Sequence, residues 1–178
     1  MTASIKQFKQ NIADVLPVAK RSQKENIPTI SHIRIFNDGE RTIMQATDRF
    51  IIINSVVEED VDGGEFNMFV TPETLASIKS HTSGNVEISD DHITINGIEY
   101  PEAGEVDWPV VDKLIKEAWD DDSYHTPTDN TPCAYRVDLL KHIKDVEIIP
   151  RFNNPAAPTR FKAGARAYGV IQPKRVKP

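Results

Sequence analysis

The sequence predicts an α+β fold in which helices and antiparallel strands form repeated units. A helix followed by short strands recurs three times along the chain. Turn signals such as Asn37-Asp38-Gly39 separate strands closely enough to form hairpins. Strands and helices do not alternate singly, as they do in doubly wound parallel proteins. With 178 residues, the chain is long enough for one domain or two small ones.

The first unit is predicted to begin with a helix that Ser4 caps, because apolar residues follow it at three- and four-residue spacing. Pro17 weakens the end of this pattern, and we expect a polar loop from Arg21 to Pro28. Strands rich in isoleucine, valine and phenylalanine are predicted after the loop, at residues 30–36, 42–46, 50–57 and 65–70.

The second unit begins at Thr71, whose hydroxyl can cap a helix that has Pro72 at its first position. Strands are predicted at residues 85–89 and 92–96, and residues 97–101 are expected to leave the sheet. The segment at residues 108–119 has two interpretations, a helix with one apolar face or an irregular crossing segment. The third unit is predicted as a helix at residues 135–144 with strands at 146–149 and 168–171.

Charged residues are unevenly distributed along a chain whose formal net charge is −6. Nine acidic residues and two lysines lie between Tyr100 and Asn130, whereas the segment from Arg160 to Pro178 has six basic residues and no acidic one. One interpretation is an acidic linker followed by a solvated basic tail. The other is that an outer surface is separated from a surface that faces nucleic acid. The net negative charge argues only against a protein that coats DNA indiscriminately.

Cysteine content and apolar runs predict a cytoplasmic protein. The single Cys133 excludes an internal disulfide framework and a paired-cysteine zinc or redox site, as is typical of a reducing compartment. No apolar run approaches the roughly 20 residues that a membrane span requires, and the first residues lack the apolar core of a signal peptide. We therefore expect no contact with a membrane.

The sequence lacks the usual motifs of cofactor binding and catalysis. It has no glycine-rich dinucleotide or phosphate loop, and its five histidines are never paired at metal-ligand spacing. One set of carboxylates could bind Mg²⁺ for phosphoryl-transfer or nuclease chemistry: Asp112, Glu117, Asp120, Asp121 and Asp122. Consecutive acids point in divergent directions, so we expect solvated carboxylates and predict no cofactor, no metal and no enzyme. The Mg²⁺-dependent enzyme remains the rival interpretation.

Five segments, in chain order, resemble those of bacterial DNA polymerase III beta sliding clamps. They are Asn26-Ile27-Pro28-Thr29-Ile30, Met44-Gln45-Ala46-Thr47-Asp48 with Arg49-Phe50-Ile51-Ile52-Ile53, Phe69-Val70-Thr71-Pro72, Tyr100-Pro101-Glu102 with Asp107-Trp108-Pro109, and Tyr168-Gly169-Val170-Ile171-Gln172-Pro173-Lys174-Arg175-Val176. This resemblance implies clamp-like units whose helices lie on one face of a curved outer sheet. It implies a middle-type clamp domain at residues 1–110, an acidic linker at 111–132 and half of a last domain at 133–178.

In that family the helices line a pore around duplex DNA, and the resemblance implies the same role for the basic helix faces here. The residues expected to face DNA are Lys6, Lys9, Lys79, Lys141 and Lys144. They would make non-specific, salt-dependent contacts with phosphates and would read no bases. The alternative is that these lysines only solubilise helix surfaces.

The resemblance also implies a shallow pocket that binds short linear peptides of DNA polymerases and other replication proteins. One side would consist of Thr47, Asp48, Arg49, Phe50 and Ile52, with Pro109 at the floor, and the other of Val170, Ile171, Gln172, Pro173, Lys174 and Arg175. An apolar groove with polar edges suits an anchored peptide. Alternatively, Ile52, Val170 and Ile171 are ordinary sheet core followed by a disordered tail.

The sequence departs from the family pattern in its pocket and in its length. Arg49-Phe50-Ile51-Ile52 stands where clamps commonly have Gly-His-Arg-Leu, and Gln172 and Lys174 stand where methionines often flank the proline. These changes predict narrower or different partners, because a methionine-lined groove adapts to many peptides. We expect a homo-oligomer, and with three helix-strand units per chain, against twelve in a closed ring, four chains would be needed if a ring forms at all.

We therefore predict a shortened clamp-like processivity factor, of the kind that a bacteriophage would encode. It would either form a ring that slides on duplex DNA or present the peptide pocket without encircling DNA. A non-ring adaptor or inhibitor that binds replication proteins is the alternative. In that alternative, the basic segment from Arg160 to Pro178 would bind the partner.

Overall fold

The structure of the chain is a computed structural model that describes residues 2–59, 65–121, 134–135, 140–141, 143, 145–150 and 157–173. Within these residues the chain forms helices and antiparallel sheets, which confirms the predicted α+β class. The strands are β1 (Thr2–Ser4), β2 (Ile33–Asn37), β3 (Arg41–Thr47), β4 (Ile51–Glu59), β5 (Asn67–Val70), β6 (Asn85–Ile88), β7 (His92–Ile95), β8 (Ile98–Pro101), β9 (Val146–Ile149), β10 (Thr159–Ala163) and β11 (Ala167–Ile171). The helices are α1 (Ile5–Lys24), α2 (Pro72–Ser80) and α3 (Val111–Asp120).

The strands form a seven-stranded sheet in the order β5-β2-β3-β4-β11-β10-β9 and a four-stranded sheet in the order β1-β6-β7-β8. All neighbours pair antiparallel. The predicted strands are confirmed to within a few residues, and the first begins at Ile33 because Pro28–Ile30 forms a short 3-10 turn. Sequence patterns do not predict β1 and β10.

The pairing of β4 with β11 joins strands from the first third of the sequence to the last strands in one sheet. Ile52 lies opposite Val170, and Ile51 lies opposite Ile171. The interpretation of residues 160–178 as a solvated tail is therefore wrong for residues 160–171, because β10 and β11 each pair with strands on both sides. The predicted division of the chain into domains on either side of residues 111–132 stays a prediction.

The expectation that residues 97–101 leave the sheet is wrong, because β8 pairs along its whole length with β7. Asn96 and Gly97 join these strands with φ angles of 52° and 77°. Asn-Gly at positive φ is the preferred two-residue hairpin turn. This dipeptide is the sequence signal for the additional strand.

α1 begins after Ser4, whose Oγ accepts a hydrogen bond from the backbone N–H of Gln7 at 3.3 Å. The helix continues through Pro17 to Lys24, so the predicted loop is wrong for its first four residues, Arg21–Lys24. Pro17 removes only the hydrogen bond to the carbonyl of Ala13, and Ala13 lies on the exposed side of the helix, where water can replace that bond.

The main core lies around α1, and it receives buried side chains from the larger sheet, from α2 and from β6 and β7 of the smaller sheet. Phe8, Ile12 and Val15 of α1 are fully buried. The strands contribute the side chains of one face, among them Ile33, Ile35, Met44, Ala46, Ile51, Ile53, Phe161 and Ile171. α2 begins as predicted, because the Oγ1 of Thr71 accepts a hydrogen bond from the N–H of Thr74 at 3.1 Å.

α3 covers the opposite face of the larger sheet, which decides between the two interpretations of residues 108–119 in favour of a helix. Side chains alternate between the two faces of a strand. Ile51 and Ile53 therefore pack in the main core, while Ile52 between them packs against α3. We call the face that carries Ile52 and Val170 the outer face of the sheet.

The third predicted helix, at residues 135–144, falls mostly outside the described residues and stays a prediction. Of the residues in that range that are described, Ile143 is buried in the main core and Lys141 is exposed. None of the described helices is long and apolar enough to cross a lipid bilayer.

Candidate functional site

The turn between β3 and β4 contains the first part of the predicted peptide-binding surface. Asp48 is buried in this turn, and its Oδ1 accepts hydrogen bonds from the N–H groups of Phe50 and Ile51, each at 3.0 Å. Its Oδ2 lies 3.3 Å from Nε of Arg21 on α1. Thr47 donates its hydroxyl to the carbonyl of Ile51 at 2.9 Å. Thr47 and Asp48 therefore hold the turn in its conformation.

Burial raises the pKa of Asp48 above its ordinary value. The two backbone N–H donors and the Arg21 guanidinium act in the opposite direction, because each stabilises the ionised form. The cost of removing the carboxylate from water exceeds these favourable contacts. The site therefore contains a carboxyl group whose protonation is coupled to the folded turn.

The same turn presents Arg49 and Phe50 to solvent. Arg49 adopts a φ of 75°, and Phe50 is 38% exposed. The N–H of Gln172 donates to the carbonyl of Phe50 at 2.7 Å, which brings the end of β11 beside the turn. Gln172 is exposed and Pro173 is buried. The structure therefore brings the two predicted sides of the pocket together where the β3–β4 turn meets the end of β11.

Of the remaining predicted pocket residues, one is buried in the core, one is exposed before α3 and two lie outside the described residues. Ile171 is fully buried in the main core, on the face opposite to α3. Pro109 is exposed immediately before α3, where its carbonyl accepts a hydrogen bond from the N–H of Val111 at 2.8 Å. Lys174 and Arg175 lie outside the described residues.

Ile52 and Val170, the apolar centre of the predicted pocket, are covered by the chain's own helix. They are only 7% and 4% exposed, and they form one buried cluster with Val111, Ile115 and Ala118 of α3. Partly buried rings and an aliphatic side chain border this cluster: Trp108, Trp119, Tyr168 and Ile149. The part of the surface that would take an apolar peptide side chain is therefore occupied by α3.

Polar contacts fix the first turn of α3 to the outer face. Asp112 accepts hydrogen bonds from Nη1 of Arg34 at 2.6 Å and from Nε2 of Gln45 at 2.9 Å. Gln45 is buried, and its Oε1 accepts a hydrogen bond from Nε1 of Trp108 at 3.0 Å. The ring of Trp108 also packs on Phe69, with centroids 5.5 Å apart. Gln45 thus holds both the start of α3 and the segment before it.

Arg160 on β10 holds the other end of α3. Its guanidinium donates hydrogen bonds to the backbone carbonyls of Ala118 and Asp121. The last carbonyls of a helix have no partner within the helix, so these bonds cap its C-terminal end. The ring of Trp119 stands edge-on to Tyr168, with centroids 5.5 Å apart, and Arg160 lies 5.4 Å from the Trp119 ring.

A cavity of about 990 Å³ lies beside α3 on the outer face. Its walls combine aromatic and aliphatic side chains, namely Phe36, Ile43, Trp119 and Tyr168, with the basic side chains Arg41, Lys113, Lys116, Lys162 and Arg166. Asp38, Asp112 and Asp120 are the acidic residues of its lining. The outer face next to α3 is therefore apolar with a mostly basic border.

The carboxylates of the rival enzyme interpretation are distributed along α3 instead of converging. Asp112 is bound to Arg34 and Gln45 at the start of the helix. Asp120 lies eight residues later, about 12 Å along the helix axis. Glu117 is exposed beside Lys113, and Asp122 lies outside the described residues. In the part of the chain that the structure describes, no cluster of three or more His, Cys, Asp or Glu side chains could hold a metal ion.

A basic surface lies on the side of the molecule that carries α1. Lys6, Lys79 and Lys141 are exposed, and Lys9 is half-buried, whereas Lys144 lies outside the described residues. Lys20 and Lys24 are also exposed on α1, and they border one cleft together with Lys141. Lys20 and Lys24 are not among the residues predicted to face DNA, because the predicted helix pattern weakens near Pro17. Their spacing from Lys6 is that of residues on one side of a helix, so a helix pattern extended past Pro17 predicts their position.

The single acidic residue of α1, Asp14, is neutralised by a partner from β10–β11. Its Oδ2 accepts a hydrogen bond from Nε of Arg166 at 2.9 Å, and its Oδ1 accepts one from Nη2 at 3.1 Å. Two hydrogen bonds between a guanidinium and a carboxylate fix the relative orientation of the two groups, and their opposite charges offset each other. The one carboxylate of α1 is therefore paired with Arg166 and does not neutralise the five basic residues of the helix.

No protein-family model matches the chain. No curated protein matches it either.

Comparisons with solved structures find sliding clamps. The beta subunit of the DNA polymerase of Streptococcus pyogenes matches with a TM-score of 0.70 and 16% identity over 99% of this chain and 66% of that one. The sliding clamp of Pseudomonas aeruginosa matches with a TM-score of 0.69 and 10% identity over 99% and 66%. The clamp of Bartonella birtlesii bound to griselimycin, a DNA polymerase III beta subunit, gives 0.69 and 12% over 99% and 66%. The chain spans just under two thirds of the length of these clamps, and it has the fold of the DNA polymerase III beta sliding clamps.

Proposed function

We propose that this chain is a clamp-like processivity factor that slides on duplex DNA as a homo-oligomer and binds replication proteins through short linear peptides. The observation that carries the proposal is the match of 99% of the chain to sliding clamps, with a TM-score of 0.70. It acts in the cytoplasm and is not an enzyme. The domain division at residues 110 and 133 belongs to the same proposal.

The distribution of charge supports a DNA-facing surface on α1 and α2. The exposed lysines Lys6, Lys20, Lys24 and Lys79 project from the helices, and the one acid of α1 is paired with Arg166. Lysine side chains on long flexible stems contact phosphates without fixing a register. A protein that slides requires such contacts, because base readout would stop it at particular sequences. Lys9 and Lys141 extend the same surface, and Lys144, which lies outside the described residues, is included on the resemblance alone.

The edge formed by the β3–β4 turn and the end of β11 supports the peptide-binding part of the proposal. Arg49, Phe50 and Gln172 are exposed there, over a turn that Thr47 and Asp48 hold. Ile52 and Val170 lie beneath α3 and become the apolar part of the binding surface only when α3 moves away, and the resemblance implies Pro109 at its floor. The remaining contacts come from Pro173, Lys174 and Arg175. The exposed Arg49 at this position favours an acidic partner segment.

Charge reversal on α1 tests the DNA-binding surface. We expect the double variant Lys20→Glu/Lys24→Glu to weaken binding to a labelled duplex, because it removes two phosphate contacts. Each lost contact lowers the slope of log Kd against log salt concentration by about 0.9, so the double variant lowers it by about 2. Fluorescence anisotropy over a salt series measures this slope.

The matched control is Lys113→Glu/Lys116→Glu, which makes the same charge change on α3, across the sheet from α1. We expect it to leave the slope unchanged. Equal effects of the two double variants would contradict a DNA-facing surface on α1. Light scattering on the wild-type protein tests the assembly separately: a monomer even in concentrated solution would rule out the ring and leave the peptide-binding part to be tested alone.

A further inference from the structure

We propose that α3 is a built-in occupant of the peptide-binding surface, and that its contacts define the partner that replaces it. This partner is a short acidic segment with two aliphatic side chains in helical spacing and an aromatic ring after them. The inference rests on the proposed function for the identity of the partner as a replication protein. The occupation of the surface by α3 rests on contacts within this chain.

The surface beneath α3 is separate from the main core. Its five buried residues form their own cluster, whereas the main core lies on the opposite face of the same strands. Ile52 and Val170 each have strand neighbours that point the other way, so the sheet keeps its packing with α1 when α3 leaves. α3 can therefore dissociate from a folded sheet.

The contact surface of α3 is narrow. Val111, Ile115 and Ala118 are buried on one side of the helix, while Leu114 on the same helix is 44% exposed and Val110 before it is 80% exposed. A ten-residue helix is marginal by itself in water, so its helicity depends on the surface beneath it. A segment of the same pattern from another protein would gain the same contacts.

The charged contacts specify the polarity of the partner. Arg34 and Gln45 together bind one carboxylate, that of Asp112, at the start of the helix. At the other end Arg160 binds backbone carbonyls, and both Arg160 and Lys162 lie within 6 Å of the Trp119 ring. An acidic residue in the first turn and an aromatic ring in the last therefore match this surface. A basic side chain in the first turn would meet the guanidinium of Arg34 in place of the carboxylate of Asp112.

Freeing the surface within the full chain tests this inference. The variant Ile115→Asp removes the central apolar contact of the tethered helix, and Leu114→Asp is the matched control because Leu114 is exposed. The probe is a fluorescein-labelled synthetic peptide of residues 107–121 of this chain, and its binding is measured by anisotropy. We expect the Kd of the peptide for Ile115→Asp to be at least about tenfold lower than for wild type or Leu114→Asp. The labelled peptide that itself carries Ile115→Asp should not bind.

Equal peptide binding by Ile115→Asp and wild type would overturn the inference. Hydrogen exchange on the wild-type protein decides the question if Ile115→Asp does not fold. We expect the amides of α3 to exchange through an opening that leaves β4 and β11 protected. Exchange of α3 only together with those strands would overturn the inference as well. Because the probe derives from this chain, peptide binding without any DNA binding would refute the proposed function and leave this inference standing.

Discussion

Asp48 in the β3–β4 turn and Gly169 on β11 make contacts that cannot be predicted from a sequence pattern. The resemblance to clamps identified Asp48 as a pocket residue, but its Oδ1 binds the backbone of its own turn. A Cβ on Gly169 would lie 1.9 Å from the carbonyl oxygen of Ile52, so only glycine lets β11 approach β4 this closely. Burial of a side chain depends on distant segments that pack on it, and a local motif carries no information about them.

The raised pKa of Asp48 predicts a specific pH dependence of stability. The folded protein holds this proton more tightly than the unfolded chain, so the stabilising contribution is complete below the ordinary pKa of an aspartate in the unfolded chain. It is lost as the pH rises through the higher pKa of the folded state. We expect the free energy of unfolding of wild type, relative to Asp48→Asn, to fall over this range in urea titrations. A relative stability that rises with pH would mean that Arg21 outweighs burial.

At the scale of elements, hairpin signals and helix caps predicted where strands lie and where helices begin. They did not predict where α1 ends or which face of the sheet α3 covers. Ser4 and Thr71 begin helices as expected, and the predicted strands are present. α1 runs past Pro17 because the missing hydrogen bond lies on its solvated side. The apolar pattern of residues 111–119 indicates which side of a helix is buried, but it does not indicate which face of a sheet the helix covers. The sequence therefore does not predict that α3 covers Ile52 and Val170.

The separate cluster under α3 predicts that this helix unfolds before the sheet. Of the two tryptophans of the chain, Trp108 precedes α3 and Trp119 lies in its last turn, so both report on the helix directly. We expect the urea midpoint from tryptophan fluorescence to lie below the midpoint from far-UV circular dichroism. Ile115→Ala, which costs about 2–5 kcal/mol at a fully buried site, should lower only the fluorescence midpoint, and Leu114→Ala should change neither. Coincident transitions in wild type would show that α3 is part of the cooperative core.

At the scale of the whole molecule, the net charge of −6 does not describe any one surface. α1 carries five basic residues and one paired acid on one side of the larger sheet, and α3 carries three acids and two lysines on the other, beside a cavity with a mostly basic border. The order of short motifs along the chain pointed to the sliding-clamp fold, and comparison with solved structures supports it despite 10–16% identity. Fold survives such divergence because buried patterns and turns are retained, whereas assembly depends on surface residues that the motifs do not include.

Retention on circular DNA tests the central claim most directly. The protein is bound to a nicked circular plasmid, half of the sample is cut once with a restriction enzyme, and both halves are passed over a gel-filtration column. A ring that encircles duplex DNA should stay with the circle and slide off the ends of the linear molecule. Equal elution of protein with circular and linear DNA, or with neither, would contradict the account.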